Sequence, residues 1–264
     1  SDAPLGPWTY GGTIIDGRGR ETDEAGNPIA SATVSGNTHG SICEINGQWY
    51  VFYHRQTGLD EFARQAMVAP ITVKVEDGKV VITEGEYNSE GFALEGLDPL
   101  EKYSAGIACW YTGPKVAEHN WPNKIFYGSY VASGYGTDDK FEAPYALRNN
   151  HNPVVNNTDG SIVGYKYFNF TKTAGRKDLK LVLGIVPEGI DGTITVMADR
   201  PWTSQGGIVL GTAELKSDMP SEETDLVIGL QGAESLTGKH AIYLKFGSEQ
   251  KEKSICILNS LMFK

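Results

Sequence analysis

Clusters of Lys and Arg, long apolar runs and helical periodicity are all scarce in this 264-residue sequence. Each scarcity removes a class of protein. Lys and Arg number 23 against 33 Asp and Glu, a formal net charge of −10. Phosphate backbones are held by clustered basic side chains, so nucleic acid is excluded as a partner. No stretch approaches the roughly 18 consecutive apolar residues that a membrane-spanning helix needs. The chain opens SDAPLGPW, without a basic and apolar leader. We therefore expect that a leader has been removed or that the chain begins inside a larger protein. The three cysteines, Cys43, Cys109 and Cys256, are far apart and fit no CxxC or metal spacing. They read as small buried hydrophobes, and an odd count still allows one disulfide, so the compartment stays open on this count. No GxGxxG, Walker, GxSxG or HExxH pattern occurs, which removes nucleotide-binding, hydrolase-elbow and zincin readings.

What is present is glycine and aromatics: 32 Gly, 13 Tyr, 9 Phe and 5 Trp. With 40% hydrophobic residues, that composition specifies turn-rich β structure around a real core. Residues 41–45 (SICEI) and 48–54 (QWYVFYH) flank Asn46-Gly47. This is the strongest short hairpin signal, because both central positions of a type I′ turn need positive φ. Residues 71–76 (ITVKVE) and 79–83 (KVVIT) flank Asp77-Gly78 in the same way, predicting an antiparallel meander. Only residues 60–68 hold enough helical period for a turn or two, with Asp60 and Glu61 at its positive end. After a loop-rich stretch over 85–150, short strands are expected at 162–170, 179–186, 192–198, 207–215, 226–230, 240–246 and 254–263. That spacing reads as a sandwich or jelly roll. The expectation is an all-β chain in two domains, 1–119 and 120–264.

GNTHGSICEINGQWYVFYHRQ, residues 36–56, resembles the last blade of family 43 glycoside hydrolases. APLGPWTYGGTIID (3–16) is similar to that family's fourth blade, and FARQAMVAPI (62–71) to its arginine segment. DGSIVGYKYFNF (159–170), GKHAIYLKF (238–246) and CILNSLMFK (256–264) resemble a family 6 carbohydrate-binding module. The resemblance covers most of the chain. It implies the last blades of a five-bladed β-propeller followed by a β-sandwich jelly roll. It also implies enzymes that cleave arabinose-, xylose- or galactose-containing plant polysaccharides in a secreted, periplasmic or cell-surface setting.

That family carries a general base, a pKa-modulating Asp and a general acid Glu in its first three or so blades. Inversion requires an acid on the leaving oxygen and a base on water, the carboxyls roughly 6.5–9.5 Å apart. By the resemblance this chain begins where the fourth blade ends, so all three positions fall outside it. Hydrolysis by the chain alone is not expected. About two blades leave an apolar face open. The expected partners are the missing N-terminal blades or a second copy, besides an oligo- or polysaccharide. Asp16, Glu21, Asp23 and Glu24 interleave with Arg18 and Arg20 in a Gly-rich loop, which reads as solvated and self-neutralising rather than as an acid/base pair. The resemblance turns His39 toward the central cavity, near a metal ion or water; a hydrogen-bonded turn histidine is the other reading. It makes Arg64 the arginine that reaches the substrate carboxylate cluster, against a surface arginine on a helical turn. His54 and Arg55, at a strand end, read as structural.

Sugar binding by the second domain needs aromatic faces for pyranose rings, ringed by hydrogen-bonding side chains. Residues 217–225 (SDMPSEETD) and 152–159 (NPVVNNTD) stand where family 6 modules carry their aromatics, and neither holds one. Trp202, in a polar loop, is the candidate platform. Tyr165 and Tyr167 are the others, with core packing as their alternative. The family also implies a structural calcium, although Asn259 stands where it often has an acid. Two short sequons, at Asn156 and Asn169, carry little information. The sum is the C-terminal region of a glycoside hydrolase acting on plant-type polysaccharide, with a mainly scaffolding module. The alternative is a non-catalytic carbohydrate-binding or adhesive two-domain protein.

Overall fold

A computed structural model describes residues 1, 3–17, 20–30, 39–59, 63–121, 123–132 and 152–264. Asp60, Glu61 and Arg18 lie outside these residues. Among the described residues the chain is all-β, with only short 3-10 turns such as Ala105–Ile107 and Phe170–Thr173. The Asn46-Gly47 turn joins Ser41–Ile45 to Gln48–Gln56, with φ of 52° and 82° at its two central residues. Asp77-Gly78 likewise joins Val73–Glu76 to Lys79–Ile82. Between the hairpins, Arg64–Ile71 is a strand and not the helical turn expected. It pairs with Gln48–Gln56 throughout, from Trp49↔Ile71 to Gln56↔Arg64. Its sequence, RQAMVAPI, has little β-branched content, so the ladder and the burial of Ala69 and Ile71 decide its conformation.

The sandwich has two sheets. One runs Tyr130–Val131, Val154–Val155, Cys256–Phe263, Lys180–Pro187 and Thr224–Gly229, with Tyr103–Ser104 also paired to Cys256–Phe263. The other runs Ile208–Leu215, Gly192–Ala198, Lys239–Gly247, Ile162–Asn169 and Trp110–Thr112. Tyr165, Phe168, Leu183, Ile194, Leu244 and Phe263 fill the space between them. Tyr165 is thus a core residue, as its alternative reading held. The boundary expected at 119/120 does not follow the sheets. Tyr103–Ser104 and Trp110–Thr112 are sandwich strands, and at two and three residues they are too short to show a period.

The second sheet is apolar on its outer face too. Trp110, Ile162, Met197, Ala241 and Tyr243 meet Val51, Tyr53, Ala69 and Ile71 of the blade there, together with Tyr87 from the connecting segment. Full burial of a Val, Ile or Met side chain among them is worth about 1.5–3 kcal/mol. Gly164 makes the fit possible, since a Cβ there would lie 2.8 Å from the Tyr243 ring. Blade and sandwich therefore share a core. Cys109 and Cys256 are buried, whereas Cys43 is exposed on an outer strand; all three are free thiols. Cys43 corrects the expectation of burial, because its strand presents four exposed residues out of five.

A fragment of residues 120–264 lacks both short strands and uncovers their partners Gly164, Ile162 and Leu261. It is expected to show no cooperative melt by near-ultraviolet circular dichroism. A native-like melt would contradict the shared architecture.

Candidate functional site

A cleft of about 640 Å³ opens where blade and sandwich meet. Its walls are Thr13–Gly17 and Glu84–Tyr87, tied by Gly85 N donating to the Ile14 carbonyl at 2.7 Å and the Tyr87 hydroxyl to the Gly17 carbonyl at 2.8 Å. Glu21, Trp110 and Lys166 complete it. Lys166 arrives through a β-bulge: Tyr165 opposes Ile242 and Phe168 opposes His240, so Lys166 and Tyr167 share one partner position. A bulge re-aims side chains, and both turn to the blade side. The Lys166 ammonium pairs with Glu21 and, at 3.0 Å, with Glu86. The Tyr167 hydroxyl donates to Glu86 at 2.9 Å, and the Tyr243 hydroxyl to Glu21 at 3.4 Å. The side chains of Lys166 and Glu21 are 9% and 4% exposed, so this ion pair is buried.

Glu21 thus departs from the solvated loop expected of it. Its neighbours keep to that reading: Asp23 is exposed and its carboxylate accepts from the Asn27 amide N–H at 2.8 Å. Burial alone would push Lys166 down, but Tyr243, Cys109, Glu21 and Glu86 outweigh it and hold the ammonium well above the ordinary lysine range. Burial pushes the Tyr167 and Tyr243 hydroxyls up, so both remain donors at neutral pH. Two carboxylates bound to one permanent ammonium form a clamp.

The residues singled out from sequence fall in two places. His39 and Arg64 lie at one end of the three-stranded blade. His39 is exposed, its ring edge-on to His54 with centroids 4.6 Å apart, beside an apolar hollow of about 400 Å³ that includes Ile14, Ile42, Val51 and Phe52. Arg64 is half-buried opposite Gln56, and its Nη1 has no hydrogen-bond partner among the described residues. Arg55 is structural as expected: it is buried, donates through Nε to Gln65 at 2.8 Å and covers the Tyr111 ring. Trp202 sits at the junction instead. Its indole N–H donates to the Thr22 carbonyl at 3.0 Å, and the Lys245 ammonium occupies one ring face at 4.0 Å. Tyr167 is half-buried at the clamp, not in the core. Asn259 is the extra residue of a bulge between Leu258 and Ser260. Among the described residues no group of three or more His, Cys, Asp or Glu converges to hold a metal. A cation at His39 would need ligands from elsewhere.

Propeller-type blade strands packed on a β-sandwich also make up a solved enzyme. The family 43 arabinoxylan arabinofuranohydrolase of Bacillus subtilis, crystallised with cellotetraose, matches 100% of this chain and 46% of its own length. The TM-score is 0.51 at 18% identity, a likeness of fold. Two curated relatives carry the similarity into sequence. A xylosidase/arabinosidase of Thermoclostridium stercorarium is 33% identical over 173 residues, 64% of this chain and 34% of that one. An arabinoxylan arabinofuranohydrolase of Paenibacillus polymyxa is 27% identical over 256 residues, 93% of this chain and 33% of that one. The chain spans about one third of the length of these relatives. No protein-family model matches it.

Replacing Lys166 by Met leaves the buried Glu21 carboxylate with only the Arg200 guanidinium, 3.7 Å away, and the Tyr243 hydroxyl as partners, at an expected cost of up to about 3–5 kcal/mol. The double change Glu21→Gln with Lys166→Met should recover most of it. Because the folded state raises the Lys166 pKa, its contribution is fully present below the unfolded value of about 10.4 and is lost as pH rises through the folded one. Denaturant midpoints of the intact chain should thus hold through neutral pH and fall in alkali. Equal stability of single and double variants would refute the clamp.

Proposed function

We propose that this chain is the C-terminal part of an arabinoxylan-acting glycoside hydrolase, whose catalytic carboxylates are carried by chain outside these residues. The alignment with an arabinoxylan arabinofuranohydrolase over 93% of this chain and one third of that enzyme supports the reading most strongly. The hollow beside His39 adds to it, since an apolar surface at a blade edge suits cover by neighbouring blades. On this reading the blade closes the propeller and the sandwich braces it. Arg64, half-buried at the same end of the blade, would turn the rest of its guanidinium to the carboxylates of those blades or the sugar they hold. A polymeric substrate too large to cross a membrane places the enzyme outside the cell.

Arabinose release from arabinoxylan tests this. The chain alone should give no rate above buffer, since the general acid, worth about 10²–10⁴-fold by itself, is missing together with the base. The complete product of the reading frame that encodes it should release arabinose. Turnover by the chain alone that vanishes in Glu21→Gln or Glu86→Gln, or an inactive complete product, would overturn the proposal.

A further inference from the structure

The blade end that carries His39 and Arg64 has a neighbour from the sandwich side. Strands Glu118–Asn120 and Asn123–Ile125 form a hairpin whose tip bears Trp121. The Gln48–Gln56 strand runs on into Thr57–Leu59, where the hairpin is fastened: Lys124 Nζ donates to the Thr57 carbonyl at 2.7 Å and Lys124 N to the Leu59 carbonyl at 2.9 Å. Gly58 N donates in turn to the Val131 carbonyl at 2.8 Å. Lys124 is only 3% exposed, a buried charge spent on holding this excursion in place. At its base Gly113 and Gly128 touch, and a Cβ on either would overlap the other's Cα. Asn156 donates to the Gly128 carbonyl at 2.9 Å, and Ser129 to Asn157 at 2.7 Å. The hairpin is a fixed arm.

Its tip is built against the usual preference of tryptophan. Trp121 is 71% exposed, while Trp110 is 1% exposed. Leaving an indole in water forgoes one of the largest hydrophobic gains a side chain offers. Exposed polar groups surround it: His119, its ring 6.5 Å away and tilted 44°, and Asn120 and Asn123 in the flanking pair. An apolar ring face edged by hydrogen-bonding side chains is the chemistry that receives a pyranose ring, C–H face on the indole and hydroxyls to its rim. Resting on the glycoside-hydrolase reading above, we propose that Trp121 is a stacking platform for the xylopyranose backbone of the polysaccharide at the blade end. A flat-faced pyranose suits it; the puckered arabinofuranose branch offers no such face.

Indole N–H resonances of the ¹⁵N-labelled chain test this, with Trp121 assigned from Trp121→Phe. Xylohexaose should shift the Trp121 signal saturably, and an arabinofuranose oligosaccharide should not. Trp121→Ala should weaken xylohexaose binding about tenfold with the melting temperature unchanged. A Trp121 signal unmoved by xylohexaose, equal shifts from both sugars, or unaltered affinity in Trp121→Ala would each overturn the proposal. Binding is read without turnover, so its failure leaves the hydrolase reading standing. An inactive complete product with intact xylohexaose binding would remove only that reading.

Discussion

One β-sheet in this protein is buried on both faces, and the rest of the architecture depends on it. Its inner face meets the opposing sandwich sheet and its outer face meets the blade. A three-stranded blade with a detached hairpin could not hold itself together, because so few strands rarely bury enough apolar surface in water. The sandwich supplies the missing layer through Trp110, Ile162 and Tyr243. Gly164 has no side chain, which leaves room for the Tyr243 ring beside it. At the edge of this shared core the bulge delivers Lys166 to Glu21 and Glu86. A buried ion pair contributes little net stability but penalises every arrangement that separates the partners. It ties Glu21 and the Glu84–Tyr87 segment to the sandwich.

This arrangement changes what the sandwich can do. Trp202, a natural platform in isolation, is bound to Thr22 and faced by Lys245, so it serves the junction. Both sequon asparagines are also engaged, Asn156 with Gly128 and Asn169 with Glu95. The sandwich acts as a wall that fixes the blade and extends an arm past its open end. The exposed Trp121 lies on that arm, which is fastened to Thr57 and Leu59 just past the blade strand.

The regular elements were legible because their signals are local. Asn-Gly and Asp-Gly turns permit positive φ cheaply, and the strands from Ile162 onward alternate or run apolar at steady intervals. Arg64–Ile71 was not legible, since Ala, Gln and Met favour helix and only the ladder to Gln48–Gln56 makes it extended. Nor were Tyr103–Ser104 and Trp110–Thr112, whose place is set by partners some 50 to 150 residues away in sequence. Glu21 looked solvated because its partner lies 145 residues further on. One trace was available: Lys166 interrupts the apolar run IVGYKYF, and a charge inside a buried strand needs a counter-ion. The Trp121 hairpin left only an aromatic among polar residues, a pattern that many loops share.

Native-state hydrogen exchange reads the shared sheet most directly. Amides of Gln48–Gln56 and of Ile162–Asn169 should open with one free energy and respond to denaturant with one slope, because neither survives without the other. Protection of the blade strands that is lost at distinctly lower free energy, with the sandwich still closed, would contradict the account.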